Sequence, residues 1–485
     1  MKPYKILLFL LSVYILLFII SFFFPDNGIT IPGNIKLNFI TPEEIFSTDK
    51  TKYADITNII ENIKVKEDTI SANNDTVMAS DSIPADTAGT KNLIHYIQFP
   101  DSNKAVLYDF FRAIEKNSGL IRVLHYGDSQ IEGDRITAYL RNKLQARFGG
   151  SGAGLLPVIN IHKYSLSVNQ YYSENWKRYS VTGKKDTLLD HKRYGMLGNF
   201  ARFTPLPAEK DISDTSVHTG WISLRLSRNS FTNTRYYKKC RVYYGYNKDT
   251  VIAGLIVEDS LIMTDTLFPC ERSRTLEWDV INSPKEVIIN FTGKDSPDIY
   301  AVSLDNIRGV AVDNIPLRGS AGLDFTRIDQ GQLKMMYKEL NVKLLLLEFG
   351  VNVVPKVKDD YTYYENWFYS QLAALKRLDP DISIIVLGLS DMSRKVKDNY
   401  ESYPNIEKIR DAQRNAAFRA GCAFWDIYEA MGGKNSMPGW VFADPPLGQK
   451  DFTHFTPRGA MFVAQMFYDA FIYEYKEYIR GKKVL

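Results

Sequence analysis

The sequence has few cysteines and no block of charge of one sign, and each shortage excludes a class of protein. Three cysteines among 485 residues are too few for a scaffold built on disulfides, and they lack the CxxC and His spacing of a zinc site. The 60 Lys and Arg residues nearly balance the 56 Asp and Glu residues, which argues against a dedicated nucleic-acid-binding protein. With 45% hydrophobic and 24% charged residues, the composition is that of a globular protein, and the length predicts two or three domains.

One long apolar run stands near the amino terminus, from Ile6 to Phe24. As a helix it would span roughly 28 Å, about one hydrocarbon core. Lys2 and Lys5 precede it, so the positive-inside rule leaves the rest of the chain outside the cytoplasm, in the periplasm. We therefore predict an uncleaved membrane anchor at residues 1–25. A cleaved signal peptide is the alternative, although the run is longer than a usual signal core and no small-x-small site follows it.

Residues 26–92 are polar and poor in aromatic residues, as in the stretch from Ser71 to Thr76. A segment of this composition has too little apolar surface to bury a core. We therefore predict a flexible tether that carries no catalytic residue.

Beyond the tether, strand-like apolar runs alternate with helical stretches in two separate parts of the chain. The first part, residues 93–160, has a strand at 120–126 followed by a helix from about 130 to 148. The second part, residues 306–485, is predicted to contain strands at Val342–Phe349, Ile382–Leu389 and Ala423–Ile427, and helices at Asp329–Leu340, Tyr363–Leu378, Ile406–Ala420 and Pro457–Ile479. Such alternation predicts one discontinuous α/β domain, with a parallel sheet covered by helices on both faces.

Residues 161–305 consist instead of short β-type segments separated by turn residues, such as Trp221–Leu226 and Glu286–Phe291. This pattern predicts an all-β sandwich or jelly roll inserted into the α/β domain. Cys240 and Cys270 fall in this region. In an oxidising compartment they could pair, or they could remain free thiols like Cys422.

Three short motifs lie where strands of the predicted parallel sheet end or where a helix begins. Ser129 closes a Gly-Asp-Ser turn after a buried strand, at the edge where ligands of open α/β folds bind. Asn352 follows another buried strand, and Asp451 and His454 precede the last long helix. An imidazole oriented by a carboxylate is the usual general base for a serine nucleophile. Each motif alone is weak because these residue types are common in turns and helix caps, but their combination in one sheet is much stronger.

The order Gly127-Asp128-Ser129, then a glycine, then Gly350-x-Asn352 and Asp451-x-x-His454 resembles the SGNH (GDSL) hydrolases, a family of esterases and acylhydrolases. The resemblance covers roughly residues 100–155 and 310–480. It implies a flavodoxin-like three-layer domain in which Ser129 is the nucleophile, His454 the base and Asp451 its orienter. It implies no metal ion or organic cofactor.

The same resemblance implies an oxyanion hole with three donors. These are the backbone N–H of Ser129, the backbone N–H of a glycine and the side-chain amide of Asn352. Two glycines after the β region qualify, and we predict Gly319, with Gly322 as the alternative.

The sequence departs from the family pattern at two positions. Val353 stands where an Asp commonly follows the Asn, which bears on the subfamily rather than on hydrolysis. Gln130 stands in place of the Leu that follows the Ser, and we predict only that it helps to pack or orient the turn.

A membrane-tethered SGNH protein with an inserted β domain resembles peptidoglycan O-acetylesterases and related polysaccharide O-acetyl hydrolases or transferases, whose inserted module is similar to a carbohydrate-binding module. We therefore predict a serine esterase that removes O-acetyl groups from a cell-envelope glycan such as peptidoglycan. An O-acetyltransferase using the same site and a non-catalytic glycan-binding protein are the alternatives. The sequence does not indicate an oligomeric state.

Aromatic side chains in the predicted insert would suit sugar rings, although for any single one a place in the core is the simpler interpretation. The residues concerned are Tyr171, Tyr172, Trp176, Tyr236, Tyr237, Tyr243 and Tyr244.

Overall fold

The computed structural model describes residues 3–24, 29–31, 35–37, 39, 53–63, 95–162, 164–184, 186–206 and 216–484. Most of the predicted tether therefore lies outside the described residues. The chain divides into two units, one of residues 1–52 with 395–400 and one of residues 53–394 with 401–485.

The first unit contains helix α1 (Pro3–Phe23) and an antiparallel hairpin of strands β1 (Ile29–Ile31) and β2 (Ile35–Leu37). Among the described helices, the stretch Tyr4–Phe23 is the one long and apolar enough to cross a membrane. Its length and composition fit a membrane anchor or a signal sequence.

The remaining elements follow in chain order. The helices are α2 (Thr57–Asn62), α3 (Tyr108–Lys116), α4 (Thr137–Phe148), α5 (Gln330–Glu339), α6 (Thr362–Leu378), α7 (Ile406–Arg419), α8 (Ile427–Ala430), α9 (Ser436–Phe442) and α10 (Pro457–Val484). The strands are β3 (Leu120–Gly127), β4 (Gly154–Leu156), β5 (Val168–Tyr172), β6 (Lys177–Ser180), β7 (Asn199–Arg202), β8 (His218–Leu226), β9 (Lys239–Gly245), β10 (Val251–Val257), β11 (Ser260–Leu267), β12 (Ser273–Asp279), β13 (Glu286–Gly293), β14 (Asp298–Asp305), β15 (Gly309–Pro316), β16 (Val342–Glu348), β17 (Ser383–Leu387), β18 (Ser393–Val396), β19 (Asn399–Ser402) and β20 (Ala423–Trp425).

Five parallel strands form the central sheet, in the order β15-β3-β16-β17-β20. Counted along the chain this is 2-1-3-4-5, the strand order of flavodoxin-like folds. Leu344 and Leu346 of β16 face α4 and α10, whereas Leu345 and Leu347 lie in the core that includes α5, α6 and α7. Burial on both faces explains why β16 is an uninterrupted apolar run, and the predicted α/β fold with a parallel sheet is confirmed.

The register of the sheet brings four strand ends to one edge. Gly127 of β3 pairs with Pro316 of β15 and with Glu348 of β16, and Glu348 pairs with Leu387 of β17. Position 127 must be glycine, because a Cβ atom there would lie 2.9 Å from the carbonyl oxygen of Glu348. Residues that follow these four strands therefore meet at the same edge.

The region between β3 and β15 forms two antiparallel sheets. One has the order β11-β10-β13-β8-β5, and the other has the order β12-β9-β14-β7-β6 with β4 paired to β14. Val242, Ile289 and Phe291 belong to one buried cluster shared by the two sheets. The β content agrees with the sequence-based expectation, and the assignment of residues 161–305 as an inserted jelly roll stays a prediction.

The aromatic residues singled out in this region are mostly in the core. The buried ones are Trp176, Tyr237, Tyr243 and Tyr244. Tyr171 and Tyr236 are 49% and 54% exposed. All three cysteines are free, so Cys240 and Cys270 are not paired.

A buried ion cluster joins the parallel sheet to the antiparallel region. The guanidinium of Arg122, on β3, contacts Asp313 of β15 at 2.9 Å and also contacts Asp305 of β14. Arg241 of β9 reaches the same Asp305 at 3.1 Å, and the backbone N–H of Leu155 donates to Asp313. Since both carboxylates are fully buried, their separation from Arg122 would leave unpaired charges in the interior.

Candidate active site

Ser129 lies at the first position after the turn that ends β3. The side chain of Asp128 accepts a hydrogen bond from the N–H of Gln130 at 3.0 Å, and the N–H of Asp128 donates to the carbonyl of Glu348. Ser129 thus begins a short 3₁₀ segment, Ser129–Asp134, rather than the α-helix expected from about residue 130. Helix α4 begins later because Glu132 and Gly133 have non-helical backbone angles.

Ser129, His454 and Asp451 form one continuous hydrogen-bonded chain. The hydroxyl oxygen of Ser129 lies 2.8 Å from Nε2 of His454, and Nδ1 of His454 lies 2.7 Å from Oδ2 of Asp451. The two residues are separated from Ser129 by more than 300 positions in sequence, so the fold brings the three predicted residues together. This is the geometry of a nucleophile, a base and an orienting acceptor.

The carboxylate of Asp451 is bound by its own loop. Its Oδ1 accepts hydrogen bonds from the N–H groups of Thr453 and His454, both at 3.0 Å. Although partial burial opposes ionisation, the hydrogen bonds from the His454 ring and from these two N–H groups lower the pKa of Asp451 to about 2. Asp451 is therefore ionised at neutral pH and accepts from the imidazole.

Two side chains near Ser129 hold the His454 loop in place. The amide of Gln130 donates to the carbonyl of Thr453 at 2.7 Å and to the hydroxyl of Ser390 at 3.0 Å. The guanidinium of Arg135 donates to the carbonyls of Ser129 at 2.7 Å and of Phe455 at 2.9 Å. Gln130 thus has a definite role in orienting the loop, whereas Arg135 and Ser390 were not anticipated from the sequence.

The two candidate oxyanion residues that follow β15 and β16 are adjacent. The side-chain amide of Asn352 donates to the carbonyl of Ser320 at 2.9 Å, next to Gly319. The N–H of Gly322 donates to the hydroxyl of Ser320 at 2.9 Å, so it is already in use. Within the described part of the chain, the N–H of Gly319 has no acceptor. These contacts favour Gly319 over Gly322 as a donor to a bound ligand.

Backbone constraints and packing explain the residues beside Asn352. Gly350 has φ +132°, and a Cβ atom there would lie 2.8 Å from Leu389. Val353 is 7% exposed and belongs to the main hydrophobic core. An Asp at this position would place a carboxylate in that core, which accounts for the departure from the family pattern.

A buried polar group lies under the nucleophile turn. His125 of β3 is fully buried, with Nδ1 2.9 Å from the hydroxyl of Thr137 and Nε2 3.2 Å from Oε2 of Glu348.

Burial, together with the charge of Glu348, raises the pKa of Asp128 to about 7. Asp128 thus supports the turn rather than serving as an exposed catalytic acid.

Glu132 and Asp134, in the segment that follows Ser129, are buried carboxylates. Glu132 is 3% exposed and lies 2.8 Å from the guanidinium of Arg318, while Asp134 is 5% exposed and lies 2.7 Å from that of Arg141. Each carboxylate is buried because a cation from a neighbouring element pairs with it. Arg318 precedes Gly319 and keeps 58% of its side chain exposed beside the site.

The sequence matches no family model and no curated protein. Among solved structures, one described as "Peptidoglycan O-acetylesterase in action, 5 min" is similar with a TM-score of 0.58 and 17% identity, over 78% of this chain and 97% of that one. The chain has an SGNH hydrolase fold. A GDSL-like lipase from Bacteroides ovatus also matches, with a TM-score of 0.23 and 10% identity over 64% of this chain and 98% of that one. An acetyl xylan esterase matches with a TM-score of 0.26 and 16% identity over 33% and 81%.

Within this SGNH hydrolase fold, Ser129, Gly319, Asn352 and Ser390 each follow one of four neighbouring strands. Ser390 could have been noticed as the polar residue after the apolar run that ends at Leu389. Arg135 carries no comparable sequence signal, because its acceptors are backbone carbonyls that only the folded chain assembles.

Proposed function

We propose that this protein is an extracytoplasmic serine esterase that removes O-acetyl groups from a cell-envelope glycan such as peptidoglycan. The observation that carries the proposal is the hydrogen-bonded chain from Ser129 through His454 to Asp451 at the active edge of the sheet. The side-chain order and the fold are those expected of an SGNH esterase.

The reaction would proceed in two steps. His454 takes the proton of the Ser129 hydroxyl through Nε2 while the serine oxygen attacks the acetyl carbonyl carbon. The N–H groups of Ser129 and Gly319 and the amide of Asn352 stabilise the negative oxygen. The sugar leaves as the alcohol with the proton from His454. Water then attacks the acetyl-serine with His454 again as base, the bond from the acetyl carbon to the serine oxygen breaks, and His454 returns the proton to that oxygen as acetate is released.

Two observations support a glycan substrate. One is the length over which a solved structure is similar to this chain, and the other is a pair of exposed aromatic rings on the antiparallel region. The similar peptidoglycan O-acetylesterase is matched over 97% of its length, so the likeness includes more than the parallel sheet. Trp221 of β8 and Tyr171 of β5 are 39% and 49% exposed. They share one face of the antiparallel sheet, because Tyr171 pairs with Ser223, two positions along β8 from Trp221. Exposed rings on one face suit the stacking of sugars.

The extracytoplasmic location is supported by the apolar helix Tyr4–Phe23 and the lysines near its start. With the positive charge retained in the cytoplasm, residues after Phe24 would lie on the other side of the membrane. An anchor would keep the esterase at the envelope, where its substrate is assembled.

The full-length protein in detergent should release acetate from O-acetylated peptidoglycan, and Ser129→Ala should abolish this release. A simple aryl acetate serves as the second substrate. Serine-dependent release from the aryl ester alone would keep the esterase and discard peptidoglycan. Appearance of the acetyl group on an added saccharide, with no free acetate, would instead favour the transferase. No serine-dependent turnover of any acetyl donor would refute the catalytic assignment.

A further inference from the structure

Residues Tyr53–Ile63, here called the docked segment, lie within the predicted tether but pack against the α/β domain. The N–H of Ala54 donates to the carbonyl of Asn435 at 3.1 Å, at the start of α9. Ile56 is 7% exposed. A Cβ atom at Gly439 of α9 would lie 3.0 Å from the carbonyl oxygen of Ala54 and 3.6 Å from Ile56. The docked segment is therefore part of the folded unit.

The docked segment reaches the His454 loop through two aromatic contacts. The ring of Tyr53 stacks on Phe442 of α9, with centroids 5.7 Å apart and planes at 26°. Phe442 in turn meets Phe452 edge to face, with centroids 5.6 Å apart and planes at 67°. Phe452 directly follows Asp451, so the series of rings ends inside the turn that carries the orienting carboxylate and the imidazole.

Phe452 has a backbone conformation that needs support from its surroundings. Its φ is +54°, a left-handed conformation that bulky residues rarely adopt because it is strained. The tight turn is needed because one carboxylate oxygen of Asp451 accepts from both Thr453 and His454. The backbone of Phe452 is held by Gln449 and Ser393, each at 3.0 Å, and its side chain, 6% exposed, is held by packing.

We propose that Tyr53 is a positioning residue that acts through Phe442 and Phe452 to keep the Asp451–His454 turn in its reactive geometry. The docked segment thus belongs to the same folded unit as the catalytic loop. The catalytic meaning of this contact rests on the proposed esterase function, whereas its effect on the order of the turn does not.

The test compares three variants of the full-length protein in detergent. Tyr53→Ala removes the stacked ring, and Tyr53→Phe keeps it. Tyr108→Ala is the matched control, because it removes a similarly half-buried ring that packs on Tyr478 near the C-terminal end of α10, with centroids 5.0 Å apart. Loss of one aromatic contact should lower kcat for an aryl acetate about three- to tenfold in Tyr53→Ala, with KM unchanged. Tyr53→Phe and Tyr108→Ala should keep the wild-type kcat.

Hydrogen exchange gives a second measurement that does not depend on turnover. In Tyr53→Ala the backbone amides of Phe452, Thr453 and His454 should exchange faster than in the wild type, whereas those of β3 should not change. If the wild type shows no esterase activity but exchange in Tyr53→Ala is still faster, the contact orders the turn and the proposed esterase function is refuted. Unchanged exchange in Tyr53→Ala, or an equal loss of kcat in Tyr108→Ala, would overturn the proposal for Tyr53.

Discussion

The candidate site has a strand-borne half and a loop-borne half, and they are held by different means. Ser129, Gly319 and Asn352 follow directly on neighbouring parallel strands, whose register aligns their ends. Asp451 and His454 lie in a loop between α9 and α10 that is held by side chains distant in sequence. The sheet thus positions the strand-borne half, whereas a few side-chain hydrogen bonds and ring contacts, each removable by one substitution, position the loop-borne half.

The loop-borne half should be the easier one to inactivate without unfolding the protein. Asp451→Asn removes the charged acceptor of the imidazole, and kcat should fall by about 10⁴-fold, as it does in serine proteases. Thermal unfolding should change little, because the Asp451 side chain is 47% exposed. Steady-state kinetics and a melting curve measure both effects, with Asp279→Asn as an exposed control. A loss below about tenfold would exclude Asp451 as the orienting group.

A substitution in the strand-borne half should weaken the stabilisation of the transition state and leave substrate binding unchanged. Asn352→Ala removes one oxyanion donor, and kcat should fall by about 10²-fold with KM nearly constant. Asn415→Ala, which removes an exposed amide from α7, is the matched control and should be neutral. If KM rises instead while kcat stays unchanged, Asn352 binds the ground state and the oxyanion assignment is wrong.

The link between the two halves can be tested at Gln130. Gln130→Leu introduces the residue that the related family usually has, but it removes the donors to Thr453 and Ser390. We expect kcat to fall about tenfold, because the imidazole loses orientation without losing chemistry. Gln371→Leu removes a buried amide that bonds only Thr326 among the described residues, so it should lower stability but not kcat. Equal kcat losses in both variants would show a general packing effect.

A last effect concerns stability rather than rate. Because Asp128 is buried and its pKa is raised to about 7, the folded state binds a proton more readily than the unfolded state does. Its contribution to stability is therefore present at low pH and is lost as the pH rises from the unfolded value, about 3.9, to about 7. The slope is at most about 1.4 kcal/mol per pH unit. Denaturant unfolding at several pH values should show this decline in the wild type and its absence in Asp128→Asn.

The positions of the strand-borne residues could be predicted from the sequence, because the strands and turns that carry them depend on local patterns of residues. The apolar run of β16 and the turn at Gly127 follow from burial on both faces and from the close approach of Glu348. The three catalytic candidates could be named from residue type and order, and the structure places them within hydrogen-bonding distance. Their catalytic roles stay predictions until activity is measured.

The contacts of the loop-borne half could not be read from local pattern. Gln130 bonds a carbonyl 323 positions away, and no periodicity indicates such a pair. Glu132 is buried because it pairs with Arg318, which is distant in sequence and approaches only when the chain folds, and Asp134 is buried beside Arg141 of α4. The docked segment could not be predicted from local pattern, because its attachment consists of one buried side chain, Ile56, one stacked ring and one backbone hydrogen bond from Ala54.

The buried cluster of Arg122, Asp305 and Asp313 restricts the relative motion of the two β regions. Separation of the two regions would leave Arg122 or its carboxylate partners without a counter-ion in the interior. The antiparallel region and the parallel sheet therefore cannot move as independent bodies. Tyr171 and Trp221, on the antiparallel region, therefore stay at a constant distance from Ser129, on the parallel sheet.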